Sequence, residues 1–185
     1  MPHIPLSSPL PGMTGLLQSR PETAKPLREL AQVLLRNSRG LTPAEGETIA
    51  TYVSVLNECE YCSLAHGATA ATLAGYPGNM AADLRSGKYM EQADPKLRAL
   101  LSLAQRVQAS PTRVTETEVD AARAAGAGDE AIHDTVLIAA AFCMFNRYVD
   151  GLATLLPDHP QAYGAIGQRL ATQGYVQPPP SAKFR

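Results

Sequence analysis

Residues 47–67 read Glu47-Thr48-Ile49-Ala50-Thr51-Tyr52-Val53-Ser54-Val55-Leu56-Asn57-Glu58-Cys59-Glu60-Tyr61-Cys62-Ser63-Leu64-Ala65-His66-Gly67. Near the end of this stretch Cys59, Cys62 and His66 fall at i, i+3 and i+7. On a helix that spacing stacks two thiols and an imidazole along one face, so the sulfurs can meet and the imidazole can reach Cys62. Glu47 adds a structural condition. Were one helix to run unbroken from Pro43 through His66, Glu47 would lie roughly 28 Å along the axis from the imidazole, at about 1.5 Å per residue. A break near Asn57, a capping residue, would start a new helix with both cysteines in its first turn and bring Glu47 back alongside His66. The same break would give the thiols the field of a helix N-terminus, which an unbroken helix would deny them.

Two thiols and a base admit three readings. A thiol attacks only as thiolate, and its pKa falls at a helix N-terminus or beside a protonated imidazole, so His66 can serve Cys62 as its base. A second thiol within bonding distance turns the sulfenic acid into a disulfide and spares the first from over-oxidation. This redox reading leads. A zinc half-site is the second, but a closed site wants four ligands, and His3, His133, His159 and Cys143 are scattered singly along the chain. Plain packing of buried cysteines is the third. Cys143, within Ala140-Ala141-Phe142-Cys143-Met144-Phe145, reads as a small core hydrophobe. His133 reads as a surface or packed residue, and Arg147 as the partner of a carboxylate.

Outward from the cysteines the layout is helical throughout. Alanine is abundant, strand-like alternation is absent, and apolar residues recur at helical spacing. Glu22 to Arg36 puts Leu27, Leu30, Ala31 and Leu34 on one face, and Asn37-Ser38-Arg39-Gly40 turns the chain. Thr42-Pro43-Ala44-Glu45 is a capping box with Pro at the first helical position. Asp94-Pro95 starts a helix whose Leu97, Leu100, Leu101, Ala104 and Val107 form one stripe ending before Pro111. Thr115-Glu116-Thr117-Glu118 is a second capping box, and Gly126 stops that helix at Ala125. Asp129 then caps a long helix from Glu130 to about Leu155, apolar nearly all round. Prolines crowd both ends, which predicts an extended arm over residues 1–21 and a flexible Pro-rich tail over 177–185. The whole of 1–185 reads as one all-α domain.

Composition excludes several classes. With 16 Lys+Arg against 17 Asp+Glu and a net charge of −1 in 185 residues, nothing could neutralise a run of phosphates, so no nucleic-acid partner is expected. The longest apolar run, Val136 to Phe145, is too short to span a bilayer, so no membrane partner is expected either. The N-terminal residues lack the basic start and apolar core of a signal peptide, which points to the cytoplasm. There, three cysteines are not a disulfide framework, and a Cys-x-x-Cys pair is redox-active or metal-binding more often than structural.

The stretch from Leu41-Thr42-Pro43-Ala44-Glu45 through Leu56-Asn57-Glu58-Cys59-Glu60-Tyr61-Cys62-Ser63-Leu64-Ala65-His66 resembles the AhpD-like alkylhydroperoxidase branch of the carboxymuconolactone decarboxylase family. The likeness extends to Pro11-Gly12-Met13-Thr14-Gly15-Leu16, to Arg20-Pro21-Glu22-Thr23-Ala24 and to Phe145-Asn146-Arg147-Tyr148-Val149-Asp150-Gly151-Leu152, and is greatest to the peroxidase-related subgroup. The resemblance implies an AhpD-like helical bundle that forms a homo-oligomer, a trimer or hexamer. It implies a thiol-dependent hydroperoxidase or disulfide oxidoreductase with no bound cofactor or metal, whose partners are a hydroperoxide and an external dithiol or protein reductant. By the same resemblance Cys62 meets the peroxide, Cys59 resolves it, and His66 and Glu47 relay protons; a helix-dipole argument alone would favour Cys59 as the more acidic thiol. One departure stands out: the best-known members carry histidine between the cysteines, where this chain has Tyr61, and a phenol near pKa 10 is no base near neutrality. The decarboxylases proper lack the cysteine pair, so lactone decarboxylation is disfavoured.

Overall fold

The computed structural model describes residues 1–110, 112 and 114–176. Among these residues there are ten helices and no strand: α1 (Gly12–Ser19), α2 (Pro21–Arg36), α3 (Pro43–Leu56), α4 (Glu60–Ala74), α5 (Met80–Arg85), α6 (Lys88–Gln92), α7 (Pro95–Ala109), α8 (Glu116–Ala124), α9 (Asp129–Gly151) and α10 (Gln161–Gln173). The Pro-rich tail at 177–185 and the stop expected at Pro111 lie outside the described residues. No helix is long and apolar enough to cross a membrane among those described.

Capping chemistry sets most boundaries. Thr42 accepts from the Glu45 amide while the Glu45 carboxylate accepts from the Thr42 amide, so two orphan donors of α3 are satisfied at once. Asp94 accepts from the Leu97 amide at 2.9 Å to open α7, and Thr115 with Glu118 closes a second box at α8. The long helix departs from expectation at both ends. Gly128 is its N-cap, with Asp129 in its first turn, and it stops at Gly151. Nor is α9 apolar all round and buried: Leu137 and Met144 are 40% and 45% exposed. Arg147 meets no carboxylate among the described residues and donates instead to the Cys143 carbonyl one turn back, at 2.8 Å. Cys143 is half-buried against the main core rather than within it, and His133 is exposed beside Asp134.

The arm expected to be extended contains α1. Eight residues with two glycines have little helical propensity of their own, so tertiary packing must hold them. Leu16, 1% exposed, supplies it by entering a small cluster with Tyr61, Cys62, Ala65, Val149 and Tyr163. Gly12 sits at φ +54° directly under the Tyr61 ring, where a Cβ would lie 2.3 Å from the ring carbons. Tyr61 is thereby clamped as a packing residue.

The core is built around α3, whose residues from Gly46 to Val55 are all buried. Polar members of that run avoid an unpaired hydroxyl by bonding one turn back: Thr48 to the Ala44 carbonyl, Thr51 to that of Glu47 and Ser54 to that of Ala50, at 2.7 to 2.8 Å. Helices α2, α4, α5, α7 and α9 pack on α3, and α10 lies against α4. The α4 and α10 backbones come close because Gly167 has no side chain; a Cβ there would stand 2.7 Å from the Ala68 carbonyl carbon. Gly167→Val is therefore expected to push α10 off α4 and cost about 1–3 kcal/mol, seen as a lower urea midpoint with an unchanged slope.

Candidate functional site

The break between α3 and α4 makes the site. Asn57 caps the C-terminus of α3, Glu58 adopts a left-handed φ of +58°, and Cys59 is the N-cap of α4. The Cys59 amide donates to the Ser54 carbonyl at 3.0 Å and the Glu58 amide to the Val55 carbonyl at 3.1 Å, the two bonds of a Schellman motif. Glycine normally occupies the left-handed position because it has no Cβ to clash; here a glutamate does. Side-chain amides brace the turn. Asn57 accepts from Gln108 at 2.9 Å and donates to Asn146 at 2.8 Å, and Asn146 donates to Ser54 at 3.1 Å. Asn57 thus ends one helix, whereas the sequence suggested it as the start of the next.

Reversal of the chain at Cys59 lays α4 against α3 and brings Glu47 to His66. Glu47 is fully buried, and its Oε2 accepts from His66 Nδ1 at 2.7 Å. Two further groups that the sequence did not single out complete the shell. Arg36, at the end of α2, places Nη2 2.8 Å from Glu47 Oε1. Tyr175, just beyond α10, donates its hydroxyl to the same oxygen, stands 3.2 Å from His66 Nδ1, and lays its ring 13° from parallel with the imidazole. The Arg36 guanidinium lies 5.1 Å over the Tyr175 ring and also donates to the Leu170 carbonyl of α10 at 2.9 Å. Arg36 had a faint signal, a basic residue in the last turn of an amphipathic helix. Tyr175 had none.

Electrostatics follow from this shell. Burial alone would push the Glu47 carboxyl up, but His66, Arg36 and the Tyr175 hydroxyl together hold it below the ordinary carboxylate range. Burial and the adjacent Glu47 charge hold the Tyr175 phenol well above its usual 10, so it stays a donor. An ionised carboxylate only accepts, which puts the His66 proton on Nδ1 and leaves Nε2 free.

Cys59 and Cys62 are 0% and 2% exposed and occupy the N-cap and first turn of α4. The neighbouring Cys62 side chain and burial push the Cys59 thiol far up. Tyr61 between them is raised by burial, which removes it from acid–base duty. Cys62 and His66 line a small apolar cleft of about 70 Å³ with Met13, Leu17, Phe142 and Tyr175. Cys59 does not line it. The cleft walls hold His66 edge-on to Phe142 at 4.7 Å between centroids. Among the described residues no group of three or more His, Cys, Asp or Glu side chains is arranged to hold a metal ion.

Two predictions arise from the buried shell. Because the folded pKa of Glu47 lies below its unfolded value, its contribution to stability is complete above about pH 4.5 and is lost as pH falls through the folded pKa. Glu47→Gln strands the Arg36 charge and is expected to cost about 3–5 kcal/mol at neutral pH, with a shallower acid limb than the wild type in urea titrations run from pH 7 to pH 3. Tyr175→Phe keeps the ring and removes one donor, an expected loss of about 1–3 kcal/mol, checked by the same titration.

The sequence profile of the carboxymuconolactone decarboxylase family matches residues 21–106, which include Glu47, Cys59, Cys62 and His66. No curated protein is significantly similar to the chain. Among solved structures, the alkylhydroperoxidase AhpD core of an uncharacterized peroxidase-related protein from Ralstonia eutropha JMP134 superposes with a TM-score of 0.76 at 27% identity, over 86% of this chain and 82% of that one. An uncharacterized peroxidase-related protein from Silicibacter sp. TM1040 gives 0.74 at 25%, over 83% and 78%. A candidate AhpD antioxidant-defence protein from Agrobacterium tumefaciens shares the fold, with 0.66 at 20% over 78% and 97%. By the profile match over residues 21–106 and the structural likeness along most of its length, the chain is similar to the carboxymuconolactone decarboxylase family and to AhpD-like, peroxidase-related proteins.

Proposed function

We propose that the protein is a thiol-dependent hydroperoxidase in which Cys62 reacts, Cys59 resolves, and His66 with Glu47 handles the protons. The observation that carries this reading is that, of the two thiols, only Cys62 lines the cleft, and His66 lines it too while its other nitrogen is tied to Glu47. His66 Nε2 takes the Cys62 proton, and the thiolate attacks the terminal oxygen of the hydroperoxide. A sulfur–oxygen bond forms, the oxygen–oxygen bond breaks, and the departing alkoxide takes the proton from His66 and leaves as the alcohol. The Cys59 thiol then attacks the Cys62 sulfenic acid; the disulfide forms, and hydroxide leaves with the Cys59 proton as water. An external dithiol reduces the disulfide and is itself oxidised to a disulfide, so no bound cofactor is required. A cytoplasmic setting suits this cycle because thiols are kept reduced there. A homo-oligomer, trimer or hexamer, accords with the exposed apolar side chains of Val33, Leu137 and Met144.

One observation favours a second reading. Both thiols are almost wholly buried, as in a helical protein whose cysteines sense redox state or only pack. Single-turnover peroxide consumption by the reduced protein, with thiols counted before and after, separates the two. The hydroperoxidase loses two thiols per chain. Its Cys59→Ser variant consumes one equivalent and stops at a trappable sulfenic acid, and its Cys62→Ser variant consumes none. Unchanged consumption by Cys62→Ser would sink the assignment of Cys62, and no thiol loss in the wild type would promote the second reading.

A further inference from the structure

The cleft over Cys62 continues past Arg28 into an adjoining recess lined by Ile166, Leu170 and Arg169. Arg28 comes from α2 and lines both parts, whereas Arg169 comes from α10 and lines only the part remote from Cys62. No Asp or Glu lines either part. Among the described residues no carboxylate lies within ion-pair distance of either arginine. Glu29, the nearest in sequence to Arg28, faces Lys25 at 3.8 Å, and Arg36, the other arginine near the cleft, is already neutralised by Glu47.

Two half-buried guanidinium groups with no counter-ion among the described residues, Arg28 where the two parts of the cleft join and Arg169 in the recess remote from Cys62, are set to meet an anion brought by the ligand. We propose that the cleft binds an organic hydroperoxide bearing a carboxylate: the apolar chain lies against Met13, Leu17 and Ile166, the carboxylate meets Arg28 and Arg169, and the peroxide end reaches Cys62. This rests on the hydroperoxidase reading above and adds its substrate class. Arg28 and Arg169 are then specificity-determining residues, remote from the proton relay.

6-Hydroperoxyhexanoic acid and its methyl ester share one terminal peroxide group and differ in one charge. The second-order rate of Cys62 oxidation by each, taken on the wild type and on Arg28→Gln/Arg169→Gln, gives a ratio internal to each protein, from which a general change in activity drops out. The wild type is expected to prefer the acid by roughly tenfold, the worth of one charge-assisted contact, the preference shrinking with added salt. In the double variant the ratio falls toward one. A ratio of one in the wild type, or a preference that survives in the double variant, would overturn the proposal. If neither peroxide oxidises the thiols, the hydroperoxidase reading fails by itself, and calorimetry on Cys62→Ser decides the anion site. Tighter binding of the corresponding hydroxy acid than of its methyl ester, lost when both arginines are replaced, supports it, and equal binding refutes it.

Discussion

A carboxylate with no exposed surface, placed in the middle of the most buried helix, is the constraint on which the rest depends. Taking Glu47 out of water is tolerable only if its charge is matched and its lone pairs are filled. Three groups do this, and each comes from a different place: Arg36 from the end of α2, His66 from α4, and Tyr175 from the segment after α10. None can reach Glu47 unless its own element is docked, so one residue makes the packing of α2 and α4 on α3, and of α10 on α4, interdependent. The same contacts orient the imidazole. His66 is held by the Glu47 bond at Nδ1, by the Tyr175 ring on its face and by Phe142 at its edge, which leaves Nε2 as its free nitrogen.

The turn at residues 57–59 is the second half of that constraint. Without it Glu47 and His66 would sit at opposite ends of one rod. The turn is built at a local cost, since Glu58 accepts a left-handed backbone that glycine would adopt freely. The surrounding structure over-determines it: two Schellman bonds and the Gln108–Asn57–Asn146–Ser54 chain of amides and hydroxyl draw on α3, α7 and α9 together. Cys59 closes the Schellman motif of α3 and opens α4, so the position of the first thiol is settled by backbone hydrogen bonds rather than by side-chain packing. Cys62 follows three residues later, within the first turn of α4.

What could be read from the sequence divides along the range of the interactions. Thr42, Asp94 and Thr115 were legible because a cap and its partner lie three residues apart. The break near Asn57 was legible only as a requirement of chemistry, since the glycine that would have announced it is replaced by Glu58. Helix α1 was not legible, because Pro11, Gly12 and Gly15 argue against it locally and only the burial of Leu16 and the fit of Gly12 beneath Tyr61 favour it. Helix α10 is amphipathic but lies among prolines, and its dependence on Gly167 shows only once α4 is beside it. Arg36 reaches Glu47 from a different helix and Tyr175 from 128 residues away, and no spacing rule within one helix covers either.

Tyr61 and Tyr175 together bear on the one departure, between the cysteines, from the pattern of the family that the sequence resembles. Tyr61 takes the place of a histidine, yet its ring is committed to Gly12 and the α1 cluster, and burial raises its phenol further from neutrality. The position between the thiols is therefore a packing position in this chain, and the hydroxyl beside the imidazole comes from Tyr175. A phenol held well above its usual pKa does not act as a base there, but it can donate steadily to Glu47 Oε1. That donation, with Arg36 on the same oxygen, keeps the carboxylate ionised and its other oxygen available to His66 Nδ1. In the proposed reaction the effect is on the tautomer: while Glu47 stays charged, Nε2 is the basic nitrogen, and the proton from Cys62 has one place to go.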